Sequence, residues 1–206
     1  MNPPSRLAAL SYTAAPAAFL GGWLLMRPIG GDAVPGPWWT AAHAVWLLAF
    51  LMFGVLVVEL WRRTGRGGKT GVAAGVAAGL ALLSVAANLT QLGIDLVAGL
   101  TSADGQAMHA LFDRVQGYPG VEVAAVGAQL FLPALLALAV IMAVRGRAAP
   151  LSAAVVGVGG VVLAVATLAV GRNSPLVAAG ISLMWLGTLL LGRDDDRALS
   201  AAPSRP

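Results

Sequence analysis

GVAAGVAAGLALLSVAANLTQLGIDLVAGL, residues 71–100, is the stretch on which the fold turns. It holds a single charged side chain, Asp95, and no proline. A surface helix of a soluble protein buries one stripe and wets the rest. Here the apolar and small residues run almost all the way round, over a length that crosses the roughly 30 Å of a bilayer core. Strand is excluded because the run lacks alternation, and lipid-exposed backbone must satisfy its own hydrogen bonds. The polar residues of the stretch are ordered. Ser84, Asn88, Gln91 and Asp95 are spaced by four, three and four residues, which at 3.6 residues per turn places them within an arc of about 60°. Unsatisfied polar groups are costly in hydrocarbon, so this stripe is expected to face protein or a wet cavity. Gly71, Gly75 and Gly79 lie on a different side and predict a close approach by a neighbouring helix.

Five further runs accompany this one. The expected helices are about 7–26, 40–61, 71–100, 121–144, 151–171 and 175–192, forming one all-α transmembrane domain over residues 1–192. Residues 193–206 are expected to be a disordered cytoplasmic tail. Composition agrees: 58% of the 206 residues are hydrophobic and 11% charged, against about 25% charged in soluble domains. The first run exceeds the hydrophobic core of a signal peptide and has no clean cleavage site after it, so it reads as a retained helix. Cysteine is absent, which excludes disulfides, thiol catalysis and thiolate-held metals. The Lys and Arg residues form no basic patch interleaved with aromatics, which argues against nucleic acid as a partner.

The basic residues do fix an orientation. With the N-terminus inside, cytoplasmic segments hold Arg6, Arg62, Arg63, Arg66, Lys69, Arg145, Arg147, Arg193, Arg197 and Arg205, and outer segments hold Arg27, Arg114 and Arg172. The bias predicts N-in and C-in in the plasma membrane. The outer loop 27–39 carries Trp38 and Trp39 at headgroup level. The outer loop 101–120 contains a short amphipathic helix, with Met108, Leu111, Phe112 and Val115 on one side and Gln106, His109, Asp113 and Gln116 on the other. It is expected to lie flat on the outer surface. Pro133 predicts a kink in the fourth helix.

Candidate functional residues gather towards the outer half. The second helix aligns Trp39, His43, Trp46, Phe50 and Phe53. The fourth places Glu122, Gln129 and Pro133 on one face. Asn88 lies near the bilayer centre, with Gln91 and Gln129 a turn outward and His43 and Asp95 two turns outward. Asp95 with His43 is the sharpest pairing, since a carboxylate inside a membrane helix marks function by default and imidazole titrates near neutrality. The ligand-binding set is Trp39, His43, Trp46, Asn88, Gln91, Asp95, Glu122 and Gln129. Any catalysis would fall to Asp95, His43 or Glu122. No metal or cofactor is expected: His109 and Asp113 at i,i+4 read as surface solvation, and the Asp194–Asp196 run as a solvated helix exit. Glu59 reads as snorkelling towards Arg62 and Arg63.

The segment Trp38-Trp39-Thr40-Ala41-Ala42-His43-Ala44-Val45-Trp46-Leu47-Leu48, after a Gly/Pro-rich loop, resembles a group of uncharacterised small multi-helix membrane proteins of actinobacteria. These often carry an aromatic and then Ala-His at the start of the second helix. The resemblance implies a multi-pass bundle and carries no activity with it. The residues themselves point to a polar-aromatic pocket binding or passing a small ligand or cation, and lean away from an enzyme. A membrane-embedded enzyme using carboxylate–histidine acid–base chemistry on a lipid or isoprenoid is the alternative, and a structural subunit of a membrane complex is a third. Membrane lipids are expected partners, and self-association stays open.

Overall fold

A computed structural model describes residues 5–30, 32–64, 67–171 and 174–200, with side chains described as far as Asp194. Among these residues there are eight α-helices and no strand: α1 Arg6–Met26, α2 Pro37–Thr64, α3 Gly68–Thr101, α4 Gly105–Gln116, α5 Pro119–Ala128, α6 Phe131–Val144, α7 Pro150–Val165 and α8 Pro175–Ser200. Six helical segments are long and apolar enough to cross a membrane: Arg6–Ile29, Pro37–Thr64, Gly68–Thr101, Pro119–Val144, Pro150–Val170 and Pro175–Asp194. Arg66, Arg172 and residues 201–206, on which the charge count partly rests, lie outside the described residues, as do the side chains of Asp195, Asp196 and Arg197.

Local chemistry sets the helix ends. Ser5 Oγ accepts the Ala8 amide at α1, and Asp104 Oδ1 accepts the Ala107 amide at α4. Pro37, Pro119, Pro150 and Pro175 each open a helix, where a missing N–H costs nothing. α6 closes on Gly146 at φ 64°, with Gly146 N bonded to the Ala143 carbonyl and Arg147 N to that of Met142. These are the two bonds of a Schellman ending.

The spans pack in chain order, α1 on α2, α2 on α3, α3 on α5 and α6, α6 on α7, α7 on α8, and α8 back on α1, while α2 also reaches α6 across the interior. The α7–α8 contact is close because glycines face it from both sides. A Cβ at Gly159 would stand 2.5 Å from Met184 N, one at Gly180 2.6 Å from Leu163 N, and one at Gly187 2.7 Å from Val156 N. Ring closure is marked by Thr188 Oγ1 donating to the Tyr12 carbonyl at 3.0 Å. Phe19, Phe50, Phe53 and Phe131 fill the middle, with centroid separations between 4.9 and 6.1 Å. Large apolar side chains such as Leu51, Leu83, Val140, Val158 and Leu168 point outward, as lipid-facing residues do.

The irregularity expected from Pro133 is present, and several other expectations are corrected. The fourth span breaks at Gln129–Leu130, before Pro133, because a proline ring clashes with the carbonyl four residues upstream, here that of Gln129. Pro16 also lies inside a span, yet α1 runs through it. Gly79 meets nothing within 4 Å; the buried small face of α3 is Gly71, Ala74, Ala77, Ala78 and Ala81 instead. Residues 193–200, expected as tail, continue α8. Asp194 is no solvated exit: its Oδ2 accepts the Ala149 amide at 2.8 Å and Ser152 Oγ at 2.6 Å, capping α7, whose own N-cap residue has no side-chain acceptor. Glu59 does turn to Arg63, one of its two expected partners, but inside the protein and not towards the headgroups. It receives Arg63 Nε at 2.6 Å, and both side chains are buried.

Candidate functional site

A cavity of about 340 Å³ opens at the end of the bundle that carries α4. Its walls come from the C-terminal turns of α1 and α3, the N-terminal turns of α2 and α5, and α4. Trp39 and Trp46, one helical repeat of seven apart on α2, are seated on glycines of their neighbours. A Cβ added at Gly99 of α3 would collide with the Trp39 indole, and one at Gly22 of α1 with that of Trp46. Each indole N–H also finds a main-chain acceptor: Trp39 Nε1 donates to the Asp95 carbonyl at 2.7 Å, and Trp46 Nε1 to the Phe19 carbonyl at 3.0 Å. Large flat side chains are thereby held rigidly on three helices.

Between them lies His43. Trp39 stacks on its ring at 4.1 Å and Trp46 meets it edge-on at 5.2 Å. Its Nδ1 lies 2.8 Å from the Trp39 carbonyl. A carbonyl only accepts, so Nδ1 carries the hydrogen and Nε2 is turned to Asp95, 3.5 Å from Oδ2. A proton at Nε2 joins the pair; without it two acceptors face each other. His43 is 3% exposed and the Asp95 side chain 30%, so the carboxylate fronts the cavity and the imidazole backs it. Among the described residues no Lys, Arg or Glu lines this space. The arrangement is a carboxylate in an aromatic surround, which attracts cations both by charge and by the negative faces of the rings. Among the described residues no three His, Cys, Asp or Glu side chains come together, so the couple offers a metal only two such ligands.

The structure divides the residues expected to form one site. Trp39, His43, Trp46, Gln91 and Asp95 come together here. Asn88 and Gln129 do not; they border a different cavity near the bundle centre. Glu122 is exposed on α5 and lines neither. Three members of the α3 stripe are spent on the broken span. Ser84 Oγ and Asn88 Nδ2 both donate to the Ala128 carbonyl, at 2.9 and 3.2 Å, and Gln91 Nε2 donates to the Val121 carbonyl at 3.2 Å.

The cavity also has residues the sequence did not single out for it: Trp23, Met26, Phe112, Val115 and Gln116. The apolar side of α4 is turned inward, with Met108 fully buried beside Met26, Trp39, Ala42 and Ala98 and with Phe112 6.3 Å from Trp39. α4 therefore covers the cavity with its apolar face, where an interfacial helix would spread that face on lipid. His109, on its far side, is exposed with Nδ1 against the Gly105 carbonyl. The amphipathic pattern was the legible signal; its direction required the neighbours. No protein-family model, no curated protein and no solved structure matches the chain.

Proposed function

We propose that this is a multi-pass plasma-membrane protein, with both termini cytoplasmic, whose α4-covered pocket faces outward and binds a small organic cation. Asp95 is the charge partner in this reading. Trp23, Trp39 and Trp46 supply apolar and ring surface to the body of the ligand, and His43 holds the carboxylate side of the pocket in place. The observation that carries it is the partly exposed Asp95 carboxylate in a tryptophan-walled cavity that no Lys or Arg lines among the described residues, the buried imidazole of His43 being its one basic neighbour there.

Binding is favoured over acid–base catalysis by Glu122, the second carboxylate candidate, which stands outside this cavity. It is favoured over passage by the Glu59–Arg63 pair, which is buried towards the other end of α2 and packed over the Tyr12 ring. The purified protein titrated with tetraethylammonium or benzylamine should show a saturable change in tryptophan emission. Benzoate, of similar size and opposite charge, should not produce it. Asp95→Asn should abolish the response while Asp113→Asn, on the exposed side of α4, keeps it. A response to benzoate equal to that of benzylamine, or one that survives Asp95→Asn, defeats the cation reading.

A further inference from the structure

A second cavity system lies apart from the Asp95 pocket and shares none of its lining residues. On the flank of the bundle a groove of about 390 Å³ runs between α6 and α7, floored by Leu132, Leu136, Gly157 and Gly160. Behind it is a chamber of about 190 Å³ walled by Phe19, Phe50, Phe53 and Phe131. Gln129, Leu132, Thr167 and Met184 line both, so groove and chamber adjoin. Both helices are irregular at this level. The fourth span is interrupted at Gln129–Leu130, and α7 passes into a π-helical turn over Ala166–Val170.

Chemistry selects the occupant. No charged side chain lines either space among the described residues. Two of the three polar side chains there are engaged: Asn88 Nδ2 donates to the Ser84 and Ala128 carbonyls, and Thr167 Oγ1 to those of Leu163 and Ala164, which leaves the amide of Gln129 as the one polar group on offer among the described residues. A polar solute would exchange its hydration for a single side-chain amide in otherwise apolar walls. On the groove's rim Val161 is 60% and Leu168 87% exposed, within a segment apolar enough to cross a membrane, where the surrounding medium is lipid hydrocarbon. We propose that the α6–α7 groove is a lateral entrance through which one hydrocarbon chain of a bilayer lipid enters the phenylalanine chamber.

The full chain in phosphatidylcholine vesicles, doped with a phosphatidylcholine carrying a diazirine at the end of one acyl chain, gives a direct test. After irradiation, adducts mapped by mass spectrometry should concentrate on Phe131, Leu132 and Leu163 over Val72 and Val76, which face outward from α3. Gly160→Phe should plug the groove, since a Cβ at Gly160 meets nothing within 4 Å; Val161→Trp, placed on the rim, is an independent plug that leaves the core untouched. In both variants the chamber adducts should be lost and those on Val72 and Val76 kept. Chamber labelling no stronger than that of Val72 and Val76, or persisting in both plugged variants, overturns the proposal. So does a change in oligomeric mass with Gly160→Phe, because a second copy of the chain would then occupy the groove.

Discussion

Trp39 donates its indole N–H to the Asp95 carbonyl, stacks on His43 and occupies the space a side chain would take at Gly99. Gly99→Ala must therefore displace an indole rather than the tip of a flexible chain. Overpacking of this kind costs about 1–3 kcal/mol, with about 1 kcal/mol more if the hydrogen bond is lost. The expected result is a lowered thermal midpoint in detergent and a red-shifted tryptophan emission, partly relieved by adding Trp39→Phe. An unchanged midpoint and spectrum would show that the indole is not seated there. The buried Glu59–Arg63 pair offers a second test. Glu59→Gln removes the carboxylate that neutralises the buried guanidinium, which also lies over the Tyr12 ring, and should cost about 3–5 kcal/mol, whereas replacing both with Leu and Met should cost far less. Equal losses from the single and double variants would contradict the buried pairing.

At the scale of elements, the interruption between α5 and α6 explains most of what the polar residues do. It frees carbonyls that a continuous helix would have bonded, and α3 supplies Ser84 and Asn88 to the one on Ala128. Two donors on one acceptor make their loss non-additive. Ser84→Ala or Asn88→Ala alone should cost about 0.6 kcal/mol, typical of hydrogen bonds between membrane helices. Together they leave a buried carbonyl unsatisfied, worth about 1–3 kcal/mol. Strict additivity in thermal unfolding of the three variants would mean that the carbonyl is not shared. The same interruption shows why the site was only half legible in the sequence. Periodicity correctly grouped Ser84, Asn88, Gln91 and Asp95, because α3 is continuous, but a face gives a direction and not a partner. Glu122, Gln129 and Pro133 were aligned by counting along one helix; the count holds within α5 as far as its C-cap Gln129 and is lost across the break to Pro133. Gly22 and Gly99 gave no separate signal, since a glycine is readable as a seat only when the ring above it is known.

For the whole molecule, the six apolar runs were legible because hydrocarbon thickness sets a length that no soluble helix pattern imitates over and over. The closed order of packing was not: Phe and Met lie inward while the exposed large apolar side chains are mostly Leu and Val, but such a bias marks a protein-facing side without naming the helix it meets. Orientation rests on charge. The end of the bundle that carries α4 holds Arg27 and Arg114, and the opposite end Arg6, Arg62, Arg63, Lys69, Arg145, Arg147 and Arg193. Arg63 is neutralised by Glu59 inside the protein, and removing it leaves the asymmetry in place, so the positive-inside rule still predicts an extracytoplasmic pocket. The absence of native cysteine makes this directly measurable. Gln106→Cys, on the exposed side of α4, and Arg62→Cys, exposed at the far end of α2, each introduce a single thiol. In intact cells a membrane-impermeant maleimide should label the thiol at position 106 and leave that at 62 unmodified until the cells are permeabilised. The opposite pattern would turn the Asp95 pocket towards the cytoplasm and restrict its ligands to intracellular cations, while leaving the geometry of Asp95, His43 and the tryptophans as it is.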